Sequence, residues 1–253
     1  MSLRVRAALI HVGITSLVAA LTALLVFSAW YPPPFARISG GQELFLILIS
    51  LDVVLGPALT LVVIHERKPR AERVRDLALI ACIQIAALAY GVWTMAQARP
   101  VYLVHELDRF QVVTVVDIEP QELSTAMPPF QRLPLWGYQI LGVREPRNDD
   151  EKLASIALAL AGRDVAKRPD WWMPWGETHR AALLERGKPL SSARGHTHTT
   201  DADLRKMLQK AAVPEDDVRL FPVVARDSTW SVLVDVRRLQ VLGFVPIDGF
   251  VLP

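Results

Sequence analysis

The chain has 253 residues, of which 51% are apolar, and its 28 basic and 26 acidic side chains almost balance. Residues 1–98 contain long uncharged runs, whereas residues 99–253 carry 20 basic and 21 acidic side chains. This near-neutral C-terminal part excludes a strongly basic surface and argues against nucleic acid as a partner. The single cysteine, Cys82, lies in an apolar run, so the C-terminal part must fold without a disulfide.

Three runs are long and apolar enough to cross a lipid bilayer as helices. They cover residues 7–30, 44–64 and 77–98. A cleavable signal peptide has a shorter apolar core than the first run, and the Trp30-Tyr31-Pro32 segment that ends it is typical of an interfacial anchor. We therefore predict an uncleaved transmembrane region of three helices over residues 1–98.

Basic residues in the short flanks of these runs predict their orientation. Arg4 and Arg6 precede the first run, and the loop after it carries only Arg37. The second loop carries five basic residues, namely Arg67, Lys68, Arg70, Arg73 and Arg75. The N-terminus and the second loop are thus predicted to be cytoplasmic, whereas the first loop and residues 99–253 are predicted to lie on the outer side of the membrane.

Residues 99–253 alternate between strand and helix patterns. The predicted strands are Val101–Glu106, Phe110–Asp117, Arg219–Arg226, Trp230–Val236 and Val241–Ile247. Three helices are predicted: one from a cap at Asn148 to Gly162, one that ends at Gly187, and one that starts at Thr200. The fold class is therefore a membrane protein with an extracytoplasmic α+β domain of mainly antiparallel strands.

The most informative residue in the apolar runs is Asp52. An acid at the centre of a membrane helix costs about 2.5–3.5 kcal/mol on insertion scales, so it should face protein or water. Asp52, Gly56 and Thr60 follow at spacings of four and share one helical face. Similar rows of small and polar residues occur in the other two runs, with Gln84 and Gly91 in the third and His11, Thr15 and Thr22 in the first.

Such rows mediate close contacts between membrane helices. Two interpretations stay open: a polar seam inside the chain's own bundle, and a docking face for another membrane helix. A proton or ion path has less support, because no second carboxylate accompanies Asp52. Counted along ideal helices, Tyr90 lies at about the depth of Asp52 and is a candidate donor to it, whereas Gln84 lies about two turns away. The candidate partner-binding face is therefore Asp52, Gly56, Thr60, Gln84, Tyr90 and Gly91.

Two further patterns occur in the C-terminal part. Trp171, Trp172 and Trp175 form a cluster that is either an exposed aromatic surface for a membrane or a partner, or a plug in the core. His196 and His198 have the spacing that can begin a metal site, but no nearby ligands complete it. No catalytic motif, metal site or cofactor site is predicted, which favours a binding or assembly role over an enzyme.

Several short motifs in the first 115 residues resemble the type IV pilin accessory proteins of the TfpX/TfpZ family. They are Trp30-Tyr31-Pro32, the segment from Asp52 to Thr60, Asp76-Leu77, Gln84, Tyr90-Gly91, Arg99-Pro100-Val101 and Asp108-Arg109-Phe110. Beyond about residue 120 the similarity is limited to Trp230–Asp235. The resemblance implies a multi-pass bacterial inner-membrane protein with a periplasmic domain, which acts on a type IV pilin as a chaperone-like or modulatory factor, together with other pilus-assembly membrane proteins.

The resemblance provides no catalytic residue and no cofactor. A type IV pilin has one hydrophobic helix and an external globular head, so a partner with membrane helices and an outer domain can bind both parts. Two modest contacts linked in this way strengthen binding through effective concentration. The main alternative is a membrane-anchored periplasmic ligand sensor or regulator, although about 12 residues between the second and third runs leave no room for an output domain.

The predicted orientation can be tested with fused reporter enzymes. Alkaline phosphatase fused after Pro253 should be active, and the same enzyme inserted between residues 67 and 75 should be silent, because the basic loop stays in the cytoplasm. The measurement is phosphatase activity normalised to the amount of fusion protein. Activity in the basic loop together with silence after Pro253 would reverse the orientation.

Overall fold

A computed structural model describes residues 2–65, 68–193, 201–227 and 229–252. The chain divides into two compact units. The helical unit comprises Met1–Ala36 and Gly40–Arg99. The sheet unit comprises Pro100–Pro253 together with Arg37–Ser39, a short piece of the loop that follows the first long helix.

The helical unit contains three long helical segments, each with the length and apolar composition to cross a membrane: Leu3–Trp30, Gly41–Val63 and Arg70–Ala98. Each covers the corresponding predicted span to within one residue. In detail they are α1 Leu3–Leu25 with a π-helical turn Val26–Trp30, then α3 Gly41–Ser50, a π-helical turn Leu51–Leu55 and α4 Gly56–Val63, and finally α5 Arg70–Ala98. The short α2, Phe35–Ile38, lies between the first two segments.

Tyr31 connects the end of the first helical segment to α5. Its side chain is fully buried, and its hydroxyl donates to the Met95 carbonyl at 3.0 Å. A Cβ on Gly41 would lie 2.5 Å from the Tyr31 ring, so glycine is required where α3 begins. Leu48 and α5 also meet closely, since a Cβ on Gly91 would lie 2.1 Å from Leu48 Cδ1. Small residues thus let the second and third helices approach each other.

The sheet unit holds one sheet of eight strands in the described residues. They are β1 Pro100–Glu106, β2 Arg109–Thr114, β3 Gln139–Val143, β4 Trp172–Pro174, β5 Lys188–Pro189, β6 Val218–Val224, β7 Trp230–Asp235 and β8 Gln240–Val245. The order is β4-β3-β1-β2-β6-β7-β8, and β5 pairs with β6.

The sheet is mixed, which corrects the expectation of mainly antiparallel strands. Two of the central pairings are parallel, β1 with β3 and β2 with β6. A parallel neighbour needs a long connection rather than a hairpin turn. Both β3 and β6 reach the sheet through such connections, which the strand patterns did not reveal.

The predicted elements of this unit are otherwise present. The strands β1, β2, β6, β7 and β8 overlap the five predicted ones, and the three predicted helices are α6 Asp149–Leu160, α7 Arg180–Arg186 and α8 Asp201–Ala211. Asn148 caps α6 as expected, since its side chain accepts from the Glu151 backbone N–H at 2.8 Å. The sequence patterns missed β3, β4 and β5. Thr200, the predicted start of the last helix, lies outside the described residues.

Two apolar clusters cover the sheet. One surrounds Tyr102, whose ring lies 4.8 Å from that of Trp172. The other packs Leu204 of α8 among residues of β6, β7 and β8, including Leu220 and Leu233. The amphipathic pattern of α8 therefore reflects its contact with the core.

The segment Arg37–Ser39 is part of the sheet unit although 60 residues separate it from β1. Ile38 is fully buried, and its carbonyl accepts from the Asp227 backbone N–H at 3.0 Å. A division of the chain at residue 98 or 99 leaves this segment out. Residues 100–253 expressed without it would therefore lack a buried side chain and a backbone hydrogen bond.

We expect Ile38→Ala to destabilise the sheet unit by about 2–5 kcal/mol, the range for truncating a buried isoleucine. Arg37→Ala is the matched control, because the neighbouring Arg37 side chain is exposed. The measurement is thermal unfolding of the detergent-purified chain, followed by tryptophan fluorescence. An unchanged unfolding temperature for Ile38→Ala would show that the loop segment does not stabilise this unit.

Candidate functional site

Polar side chains from all three long helices meet inside the helical unit. His11 of α1 lies at the centre, with Nδ1 2.7 Å from the Thr60 hydroxyl and Nε2 2.8 Å from Gln84 Oε1. Gln84 on α5 in turn donates from Nε2 to the Asp52 carbonyl at 3.1 Å. We call His11, Asp52, Thr60 and Gln84 the polar cluster. It connects α1, α5 and the second helical segment.

A proline explains why the Asp52 carbonyl needs a donor from another helix. Asp52 lies in the π-helical turn, where a carbonyl pairs with the residue five positions later. That residue is Pro57, which has no N–H. The Gln84 amide supplies the missing hydrogen bond. Gly56 leaves room for it, because a Cβ there would lie 2.2 Å from Gln84 Nε2.

The hydrogen bonds orient the groups of the cluster. Since Gln84 Nε2 donates to the Asp52 carbonyl, Gln84 Oε1 must accept a hydrogen bond from the N–H at His11 Nε2. The Thr60 hydroxyl oxygen lies 2.7 Å from His11 Nδ1 and 3.0 Å from the Gly56 carbonyl oxygen, so it is within hydrogen-bond distance of both. Thr60 has one proton to donate, so its hydroxyl can donate to only one of these two groups at a time.

The structure places most of the predicted partner-binding face inside the bundle. Asp52, Gly56 and Thr60 are buried, Gln84 is bonded to two other helices, and Gly91 packs against Leu48. These five residues therefore lie along a seam inside the bundle. His11, which the sequence places in the first polar row, is the member that joins the seam to α1.

Tyr90 does not contact Asp52, contrary to the depth argument. Its side chain is 69% exposed, and its ring packs against Trp93 with centroids 5.8 Å apart. The rise along a helix gives depth but not direction. Gln84 and Tyr90 are six positions apart and so point about 120° away from each other. Because Gln84 points into the bundle, Tyr90 points out.

The cluster of Trp171, Trp172 and Trp175 packs into the sheet unit, as the interpretation as a core plug predicts, and does not form an exposed aromatic surface. Trp171 and Trp172 are both 2% exposed, and Trp175 is half-buried. The Arg144 guanidinium lies 4.3 Å from the Trp171 ring centre, and Trp172 Nε1 donates to the Ala166 carbonyl at 2.8 Å. Burial with these partners explains three closely spaced tryptophans without a binding partner.

A buried histidine pair adjoins Trp175. The rings of His105 and His179 lie 5.9 Å apart, and Trp175 stacks on His179 at 5.1 Å. Burial, and after it the neighbouring His179 and Arg186, lowers the pKa of His105 to about 3, so this ring is neutral at physiological pH. The pair is part of the core. The other histidine pattern, His196 and His198, lies outside the described residues.

The role of the polar cluster is tested by two glycine substitutions in membrane helices. Gly56→Leu should push Gln84 away and separate the helices, lowering the amount of folded chain. Gly13→Leu should be neutral, because an added Cβ at Gly13 meets no atom within 4 Å. The measurements are the chain level in isolated membranes and its unfolding temperature in detergent. Equal levels and unfolding temperatures for the two variants would contradict close packing at Gly56.

Comparisons with known proteins place the chain among fimbrial assembly proteins. The family model described as "Fimbrial assembly protein FimB" matches residues 1–40. The chain is 34% identical over 243 residues to "Fimbrial assembly protein, serogroup I" of Dichelobacter nodosus, across 95% of this chain and 94% of that protein. It is 32% identical to the serogroup E1 protein of the same organism, with the same coverage.

A third relative, the protein of serogroups C1 and C2, is 39% identical over 117 residues, which are 46% of this chain and 89% of that protein. No solved structure matches the chain. These names support fimbrial assembly as the family's common description and do not single out the TfpX/TfpZ proteins. With two relatives above 30% identity along nearly its whole length, the chain belongs to the fimbrial assembly protein family.

Proposed function

We propose that the chain is a non-enzymatic accessory factor that binds a type IV pilin in the bacterial inner membrane and periplasm and promotes its stability or assembly into pili. The observation that carries the proposal is the similarity to fimbrial assembly proteins along 95% of the chain. Three helices with the composition of membrane spans and a separate sheet unit match the two-part shape of a pilin, with its hydrophobic helix and globular head.

The polar cluster supports a structural role rather than a catalytic one. Its groups hydrogen-bond one another and thereby connect the chain's own helices. Because these hydrogen bonds join helices of the same chain, they fix the positions of the helices relative to one another. In this proposal a pilin helix docks on the outside of the bundle, and the polar cluster holds that outer surface in place.

The outward side of α5 is the surface we assign to the pilin helix. It carries Leu79, Ile83, Ala86, Tyr90 and Trp93, which are all exposed. The first four recur at three- and four-residue spacings and form one stripe along the helix, beside which Trp93 packs on Tyr90. We call these five residues the α5 outer face. Tyr90 is the member of the predicted partner-binding face that belongs to it.

The sheet unit supplies the second contact of the proposal, with the periplasmic head of the pilin. Joining two weak contacts in one chain turns the second into an intramolecular event, which raises apparent affinity by orders of magnitude. Loss of either contact should then reduce pilin binding strongly even when the other contact is intact.

The proposal is tested by substituting an exposed alanine within the α5 outer face. In a strain that lacks the chain, Ala86→Phe should restore a normal level of membrane-inserted chain but not pili, because the added ring blocks the close approach of another helix. We expect pilin co-purification to fall about tenfold, equivalent to about 1.4 kcal/mol. The measurements are pilin pull-down and counts of surface pili.

Ala81→Phe is the matched control, since Ala81 is also exposed on α5 but lies about 140° around the helix from Ala86. It should restore both pilin capture and pili. Normal pilin capture with Ala86→Phe would remove the α5 outer face from the proposal. Normal pili in the strain without the chain would refute the proposed function itself.

A further inference from the structure

The sheet unit contains a cleft where two of its central strands part. In the described residues, β2 and β6 pair through two positions only, Phe110 with Val223 and Gln111 with Val224. Beyond them lies a cavity of about 250 Å³. Its lining includes Ser39, Gln111, Thr114, Lys167, Ala225 and Arg226. We call this cavity the strand cleft.

Gln111 provides an unpartnered hydrogen-bond acceptor among the residues that line the strand cleft. This side chain is 4% exposed, and its Nε2 donates to Asp164 Oδ2 at 3.2 Å. That bond fixes the amide, because the opposite orientation would place the amide oxygen against a carboxylate. The Oε1 atom is buried and has no hydrogen-bond partner among the described residues. A buried acceptor in this state favours any ligand that brings a donor.

A second residue of the lining, Ser39, also has a polar atom without a partner among the described residues. Ser39 Oγ is buried and makes no hydrogen bond among the described residues. A hydroxyl can donate and accept. The strand cleft therefore offers one acceptor and one group that can serve in either way, beside the two strands where their pairing stops.

Two of the charged side chains that line the cleft, Lys167 and Asp117, pair with each other. Lys167 Nζ lies 3.1 Å from Asp117 Oδ1, and the Thr114 backbone N–H and hydroxyl both donate to Asp117 Oδ2. An anion without an O–H or N–H group brings acceptors alone and could not serve Gln111 Oε1. A peptide group brings one N–H and one C=O, which suits the two unpartnered atoms. The cavity has the volume of about eight water molecules, so a short stretch of extended backbone fits.

We propose that the strand cleft binds an extended segment of the pilin polypeptide, held through its backbone by Gln111, Ser39 and the diverging strands β2 and β6. The identity of the polypeptide rests on the proposed function, whereas the chemistry of the cleft rests on the geometry. Binding at the place where sheet pairing stops is strand addition, in which backbone hydrogen bonds give most of the affinity.

The test uses overlapping synthetic peptides that cover the globular head of the pilin made by the same cell, probed with the detergent-purified full chain. One segment should bind the unchanged chain. Methylation of backbone nitrogens within that segment should weaken binding at least tenfold, and methylation of the flanking residues should not. This arm needs no variant of the chain, so misfolding cannot mimic the result.

The matching variant is Ala225→Trp, which places a large ring in the cleft and should also weaken peptide binding at least tenfold. Leu160→Trp is the control, because Leu160 is 87% exposed on α6. Peptide binding that is indifferent to backbone methylation, or the absence of any binding segment, overturns the proposal. Inorganic phosphate that displaces the peptide at millimolar concentration would identify an anion site and overturn it as well.

The two proposals fail in different ways. If pili require the chain but Ala225→Trp, present at normal level, assembles them normally, the strand cleft is not the pilin site and the proposed function stands. If pili form without the chain, the proposed function fails, while the backbone-methylation result still decides whether the strand cleft binds extended peptide.

Discussion

The helical unit depends on one amide group, that of Gln84. Pro57 cannot supply an N–H to the Asp52 carbonyl, and in apolar surroundings a bare carbonyl costs several kcal/mol. The Gln84 amide satisfies this carbonyl from α5 and at the same time accepts from His11 on α1. Hydrogen bonds between membrane helices contribute only about 0.6 kcal/mol on average, so the greater effect of this network is to fix how the helices are rotated.

That rotation determines which surfaces remain available. With Gln84 turned inward, the stripe that carries Leu79, Ile83 and Tyr90 must face away from the bundle. The residues of the polar cluster are thus internal, and the outward surface of α5 is apolar. In the sheet unit, too, Trp171 and Trp172 are interior, whereas the strand cleft is lined by residues that the sequence patterns did not single out.

The sequence predicts those features that local rules control. Long apolar runs predict the three long helices, and Asn148 predicts the start of α6. It does not predict the pairing of β2 with β6, because that contact joins positions more than a hundred residues apart. Nor does it predict β3, a five-residue strand containing Gly142, or the direction in which Tyr90 points.

The inclusion of Arg37–Ser39 in the sheet unit has a consequence for biosynthesis. Ile38 leaves the ribosome 62 residues before β1 begins, and both later long helices are made in the interval. The buried site for Ile38 does not exist until the strands have formed, so the Ile38 side chain stays unburied until then. Folding of the sheet unit is complete only when this early loop and the late strands meet. The buried isoleucine thus makes the sheet unit depend on a segment that is synthesised before two of the long helices.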